Sequence, residues 1–189
     1  MSSRILIVDD EAHVLAALQR LLRRDPALVS MNVVVETAES AAAALQRASQ
    51  VSFDLVLSDY RMPFMDGLSF LHAFRTLQPD TTRMILSGAT DFDVLMAAIN
   101  DVGIVRFLTK PWDESEVVRA VQEGIAITRL KREEQRLADE RRAEQDPQYR
   151  EQLARAEIAL KEPGILSVDW GPNGEVLLEE DGAVRHPAP

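Results

Sequence analysis

Five short apolar runs recur along the first 127 residues: Ile5-Leu-Ile-Val8, Val33-Val-Val35, Leu55-Val-Leu57, Met84-Ile-Leu86 and Ile104 to Leu108. Each is apolar at neighbouring positions rather than at alternate ones. A strand of that kind has both faces out of water, as in a parallel sheet covered on two sides. Between the runs, apolar residues repeat at helical spacing: Val14, Leu15, Leu18, Leu21 and Leu22; Ala41, Ala44, Leu45 and Ala48; Leu68, Leu71, Phe74 and Leu77; Val94, Leu95, Ala98 and Ile99; Val117, Val118, Val121 and Ile125. Five strand-helix units predict an open α/β layer sandwich with right-handed crossovers.

The pattern stops near Ile127. From Thr128 to Gln145 the large apolar residues are Leu130 and Leu137, one heptad apart, among many charges. The chain has no proline between Pro111 and Pro147, so the fifth helix can run unbroken for about 50 Å. A helix polar nearly all round is solvated, bridging, or a weak coiled-coil seam, which leaves a homodimer open as one outcome. Pro147 lacks an N–H and must break or restart the helix. Tyr149, Leu153, Ala156 and Leu160 then form an apolar stripe, with Glu151/Arg155 and Glu157/Lys161 in the favourable order. From Ile165 to Arg185, extended segments alternate with Asn173-Gly174 and Asp181-Gly182, the signature of a small β-hairpin tail. The expected division is 1–127 for the α/β domain, 128–162 for a charged helical extension broken near Pro147, and 163–189 for the hairpin.

Composition narrows what the chain can do. It has no cysteine, which removes disulfides, thiolate metal sites and thiol nucleophiles and points to the cytoplasm. No apolar run is long enough to span a bilayer, and the start enters a strand-like segment rather than a signal peptide, so no membrane contact is expected. Net charge is −10. The nine basic residues of 128–162 are interleaved with nine acidic ones, so no cluster is available to displace counterions from phosphates, and no direct nucleic-acid contact is expected.

In an open parallel sheet, ligands bind beyond the carboxyl ends of the strands. Here those ends carry Asp9, Asp10 and Glu11 after the first strand, Asp59 after the third, Ser87 after the fourth, and Lys110-Pro111 after the fifth. One such residue would be an ordinary helix cap; aligned together on one edge they make a site. Carboxylates brought together repel unless a cation sits among them, and Mg²⁺ accepts few protein oxygens and fits. With a metal and a lysine ammonium beside it, an aspartate can attack a phosphoryl donor and become an aspartyl phosphate, with Ser87 donating to a phosphoryl oxygen.

The motifs Ile7-Val-Asp9-Asp10-Glu11, Asp59-Tyr-Arg-Met-Pro63-Phe-Met-Asp66-Gly67, Leu86-Ser87-Gly-Ala89 and Phe107-Leu-Thr-Lys110-Pro111-Trp112 stand in an order and spacing that resembles the response-regulator receiver domains of bacterial two-component signalling, over about residues 4–127. The resemblance implies a flavodoxin-like doubly wound sheet with strand order 2-1-3-4-5. It implies Asp59 as phosphoacceptor, Asp9 and Asp10 as the acidic pocket, and Asp10, Asp59 and the Arg61 backbone carbonyl as holders of Mg²⁺. Ser87 and Phe107 fall at the switch positions, Lys110 at the phosphate-contacting lysine, and Lys110–Pro111 at a cis peptide bond.

The expected function is therefore a response regulator, a phosphoprotein rather than an enzyme. It would take its phosphoryl group from a histidine kinase or phosphotransfer protein and switch an interaction surface for a downstream protein, without a DNA-binding output domain. A Mg²⁺-dependent phosphohydrolase of the haloacid-dehalogenase kind uses a similar residue set. Its nucleophile follows the first strand, however, and its general acid is an aspartate two residues on, where this chain has Arg61. A phosphorylation-independent scaffold is the third reading, against which stands the complete acidic and lysine set. The remaining candidates are ordinary: His13 on the first helix faces solvent, Trp112 packs, His72 and His186 have no site around them, and Met62 to Met65 shape a loop.

Overall fold

The computed structural model describes residues 2–88, 102–161, 169–170 and 176–177. Strands β1 (Ser3–Val8), β2 (Val33–Ala38), β3 (Leu55–Asp59), β4 (Thr82–Gly88) and β5 (Ile104–Lys110) form one sheet in the order β2-β1-β3-β4-β5, with every pair parallel. The helices are α1 (Ala12–Arg24), α2 (Pro26–Ser30), α3 (Ala41–Ala48), α4 (Gly67–Leu77), α5 (Glu114–Gln145) and α6 (Pro147–Lys161). The sheet is flavodoxin-like, doubly wound, with helices on both faces.

The two-residue period of a strand explains the two cores. Ile5, Ile7, Leu55, Leu57, Met84 and Leu86 point to one face and meet Val14, Leu15 and Leu18 of α1 and Val117, Val121 and Ile125 of α5. Leu6, Val8, Val56 and Ile85 point to the other, against Ala41, Ala44 and Ala48 of α3 and Phe70, Leu71 and Phe74 of α4. Consecutive apolar residues in each strand are thus the sign of two cores sharing one sheet.

Helix starts follow their caps. Asp66 accepts from Ser69 N at 2.8 Å to open α4, and Ser40 accepts from Ala43 N at 3.2 Å to open α3. The short α2 was not anticipated: Asp25 caps it and Pro26 is its first residue, but five residues are too few to show a period. The helix expected around Val94 to Ile99 lies outside the described residues.

The contacts divide the chain into two units, Met1–Glu134 and Gln135–Pro189. The first runs past Ile127, because Thr128 and Arg132 of α5 bond the sheet's amino-terminal edge. The Thr128 hydroxyl donates to the Asp54 carbonyl at 2.6 Å and accepts from Thr82 N at 3.0 Å. Arg132 donates to the Asp54 carboxylate at 2.6 Å and to the Phe53 carbonyl at 2.7 Å.

Within the second unit, α5 ends at Gln145 and α6 begins at Pro147. Tyr149 Oη donates to Asp139 at 2.9 Å, and Arg150 donates to the Ala143 carbonyl at 3.0 and 3.1 Å. Asp169–Trp170 pairs antiparallel with Val176–Leu177. The Asn173-Gly174 and Asp181-Gly182 turns expected there lie outside the described residues. Among the described residues, no helix is long and apolar enough to cross a membrane.

Candidate functional site

Parallel pairing in the order β1-β3-β4-β5 brings the carboxyl ends of four strands to one edge. Asp9 directly follows β1, Asp59 ends β3, Ser87 is the penultimate residue of β4, and Lys110 ends β5 opposite Gly88. Asp9 and Asp59 are buried, at 1% and 6% exposure. The Lys110 ammonium reaches between them, 2.7 Å from Asp9 Oδ2 and 2.6 Å from Asp59 Oδ1, with Glu11 Oε1 at 3.8 Å. The other oxygens are held by backbone: Asp59 Oδ2 accepts from Arg61 N at 2.7 Å and Asp9 Oδ1 from Glu11 N at 2.9 Å.

The electrostatics follow from burial. Desolvation pushes the Asp59 carboxyl above its ordinary range, opposed by the Lys110 ammonium and the Arg61 N–H and reinforced by the nearby Asp9 carboxylate. Burial also disfavours the Lys110 charge, but its bonds to Asp59 and Asp9 outweigh that and raise its pKa. The arrangement is a cation clamped between two buried carboxylates.

Other predicted residues take different places. Asp10 and Glu11 are exposed at the mouth, so the acidic pair comprises one buried and one solvent-facing carboxylate. The buried Ser87 hydroxyl lies 3.3 Å from the Gly88 carbonyl, to which it donates. Phe107 is partly buried and packs against the α3/α4 core. The Lys110–Pro111 peptide bond is cis. His13 is exposed, 3.5 Å from Glu11; Trp112 packs on the α1/α5 core.

One contributor was missed as such. A Cβ at Gly67 would overlap the Asp59 carbonyl oxygen, and Gly67 N donates to the Tyr60 carbonyl at 2.8 Å. The first turn of α4 therefore sits directly on the backbone of Asp59. The signal available was the Asp66-Gly67 pair, where the cap is followed by the one residue without a side chain.

The model of the response regulator receiver domain matches residues 5–122. The chain belongs to that family. Receiver domains are signalling modules of two-component systems, and phosphorylation and magnesium are standard among them. The hydrogenase transcriptional regulatory protein HoxA of Bradyrhizobium diazoefficiens is 35% identical over 129 residues, 68% of this chain and 25% of the regulator. The chain thus spans about a quarter of that relative's length. Among solved structures, an adenylate cyclase from Rhodopirellula baltica superposes with a TM-score of 0.66 at 31% identity, over 73% of this chain and 98% of that one. The signal receiver domain of an HD domain-containing protein from Pseudomonas fluorescens Pf-5 superposes with a TM-score of 0.63 at 34% identity, over 69% and 92% of the two chains.

Proposed function

We propose that this receiver accepts a phosphoryl group on Asp59 from a histidine kinase or phosphotransfer protein and uses it to switch a protein-protein surface. The observation that carries the reading is the Lys110 ammonium lodged between the buried Asp9 and Asp59 carboxylates. An Asp59 oxygen attacks phosphorus, and the bond from phosphorus to the donor imidazole breaks. The electron pair leaves on the imidazole nitrogen and the carboxylate becomes an acyl phosphate. Lys110 is positioned to neutralise a phosphoryl oxygen, and Ser87 to donate to another.

The donor set suits Mg²⁺. Among the described residues no group of three carboxylates or imidazoles converges, and a hard octahedral ion that keeps several waters does not need one. Asp10, Asp59 and the Arg61 carbonyl would hold it, with Asp9 beside them. When bound, the ion supplies charge neutralisation of the phosphoryl oxygens. Asp59 ends β3, not the first strand, and Arg61 occupies the second-aspartate position, so the residues favour this reading over a haloacid-dehalogenase-like hydrolase.

The switch would run through Ser87 and Phe107. Drawing the Ser87 hydroxyl toward a phosphate shifts packing along β4 and β5, which carry both residues. For output, the interleaved charges of 128–162 favour protein contact, including a second copy, over direct contact with nucleic acid. Incubation with acetyl phosphate and Mg²⁺ should add one acid-stable, base-labile phosphate on Asp59. Asp10→Ala should lower Mg²⁺ affinity. Phosphorylation of Asp59→Asn at the wild-type rate would remove the proposal.

A further inference from the structure

Phe64 stands at the tip of the loop between Asp59 and α4, and it is placed at a loss twice over. Its ring is fully exposed, so it gains nothing from burial. Its φ of +68° is a backbone conformation that bulky side chains rarely adopt. Met65 N donates to the Pro63 carbonyl at 2.8 Å, closing a γ-turn with Phe64 at its centre, the rarer and more strained of the two γ-turn forms. An exposed Phe alone would need no explanation. An exposed Phe where glycine or asparagine would relieve the backbone is a local choice that stability does not favour, and such choices mark functional positions.

The loop is short and fastened at both ends. Gly67 N bonds the Tyr60 carbonyl, and Gly67 lies against the Asp59 carbonyl, so the Phe64 Cα cannot be further than about 11 Å from that of Gly67. Met62 anchors the loop from inside, at 8% exposure. The backbone that carries the ring is therefore held beside the site in a conformation set before any partner arrives.

We infer that Phe64 is an anchor for a protein phosphodonor, packing against the donor surface that flanks the phosphorylated histidine. The inference rests on the reading of Asp59 as phosphoacceptor. Asp59 is almost wholly buried, so a donor imidazole must come down onto the strand end, and the protein around it must lie across the rim. A small phosphodonor reaches Asp59 without touching Phe64. Aromatic residues, Phe among them, are enriched at protein interfaces, and a ring carried on a pre-set loop backbone leaves less chain to be ordered on contact.

The test compares wild-type, Phe64→Gly, Phe64→Ala and Phe64→Tyr full-length chains with two donors. One is acetyl phosphate with Mg²⁺. The other is the autophosphorylated histidine kinase, from the complete set encoded beside this chain in its genome, that phosphorylates wild type fastest. Acetyl phosphate should label Asp59 in all four chains within about twofold of one another. Transfer from the kinase should fall roughly tenfold or more in kcat/KM for the glycine and alanine variants, with tyrosine restoring most of it. Phe64→Gly should melt no lower than wild type, since it relieves the turn.

Equal kinase transfer to all four chains would overturn the inference, as would an equal loss with both donors. So would a fall in melting temperature of several degrees for Phe64→Gly, or a change in self-association as the sole effect. A wild type labelled by acetyl phosphate but by no kinase of the set would also overturn it. Failure of acetyl phosphate to label Asp59 in wild type would instead remove the reading of Asp59 on which it rests.

Discussion

Arg132 of α5 and Asp54, the residue before β3, form an ion pair of 2.6 Å at the edge of the sheet away from the acidic site. Asp54 is buried and also accepts from Arg4 N at 2.7 Å, so one carboxylate ties β1, β3 and the helical extension together. Arg132 itself is partly exposed, and the pair is discounted accordingly. Arg132→Ala should cost about 1 kcal/mol of stability, measured by urea unfolding. Truncation after Ile127 should cost more, about 2 kcal/mol or above, because it also removes Thr128 and leaves the Asp54 carbonyl and Thr82 N without that hydroxyl. Truncation after Glu134 should leave the receiver as stable as it is in the full chain. Equal melting of the two truncations would show that Thr128 and Arg132 do not hold the sheet.

Gly67 permits α4 to start against the backbone of Asp59, the proposed phosphoacceptor. Gly67→Ala should destabilise by about 1–3 kcal/mol, since the obstructing atom is a backbone carbonyl that cannot rotate away. The displaced Asp59 should also slow acetyl phosphate labelling. A thermal midpoint and labelling rate matching wild type would show that the strand end yields without consequence.

Glu36 on β2 joins two arginines. It accepts from Arg47 Nε at 2.6 Å and pairs with Arg4 on β1. The Arg47 hydrogen bond, opposed by burial and aided by Arg4, holds its carboxyl below the usual glutamate range. The folded state then binds its proton later than the unfolded chain as pH falls. The stabilisation is present above the ordinary glutamate pKa of 4.5 and is lost as pH drops through the lowered folded value. Glu36→Gln should therefore be about 1 kcal/mol less stable than wild type at pH 7, with the gap closing below pH 4.5. A gap unchanged across that range in urea titrations would mean the charge contributes nothing.

Much of this molecule is legible from residue order alone, because its pattern has a physical period. Runs such as Ile5 to Val8 state that a strand is covered on both faces, and the intervening helical spacings supply the covers. Strand ends in such a sheet converge on one edge, so Asp9, Asp59, Ser87 and Lys110 could be named as a group. Even Pro147 marks its break, since an imino acid cannot continue the helix before it.

What the sequence could not determine is what depends on distance between residues far apart in the chain. Asp9 and Asp10 are neighbours with the same side chain, yet one is buried on Lys110 and the other faces water. The alternation of a strand's end decides that, and a one-residue difference in register would exchange them. The extent of the first compact unit was likewise decided in three dimensions. Thr128 and Arg132 look like part of a solvated charged helix, and only the fold brings them to Asp54, more than 70 residues earlier. Periodicity reports which face of an element is buried, whereas a polar contact of long sequence separation leaves no period to read.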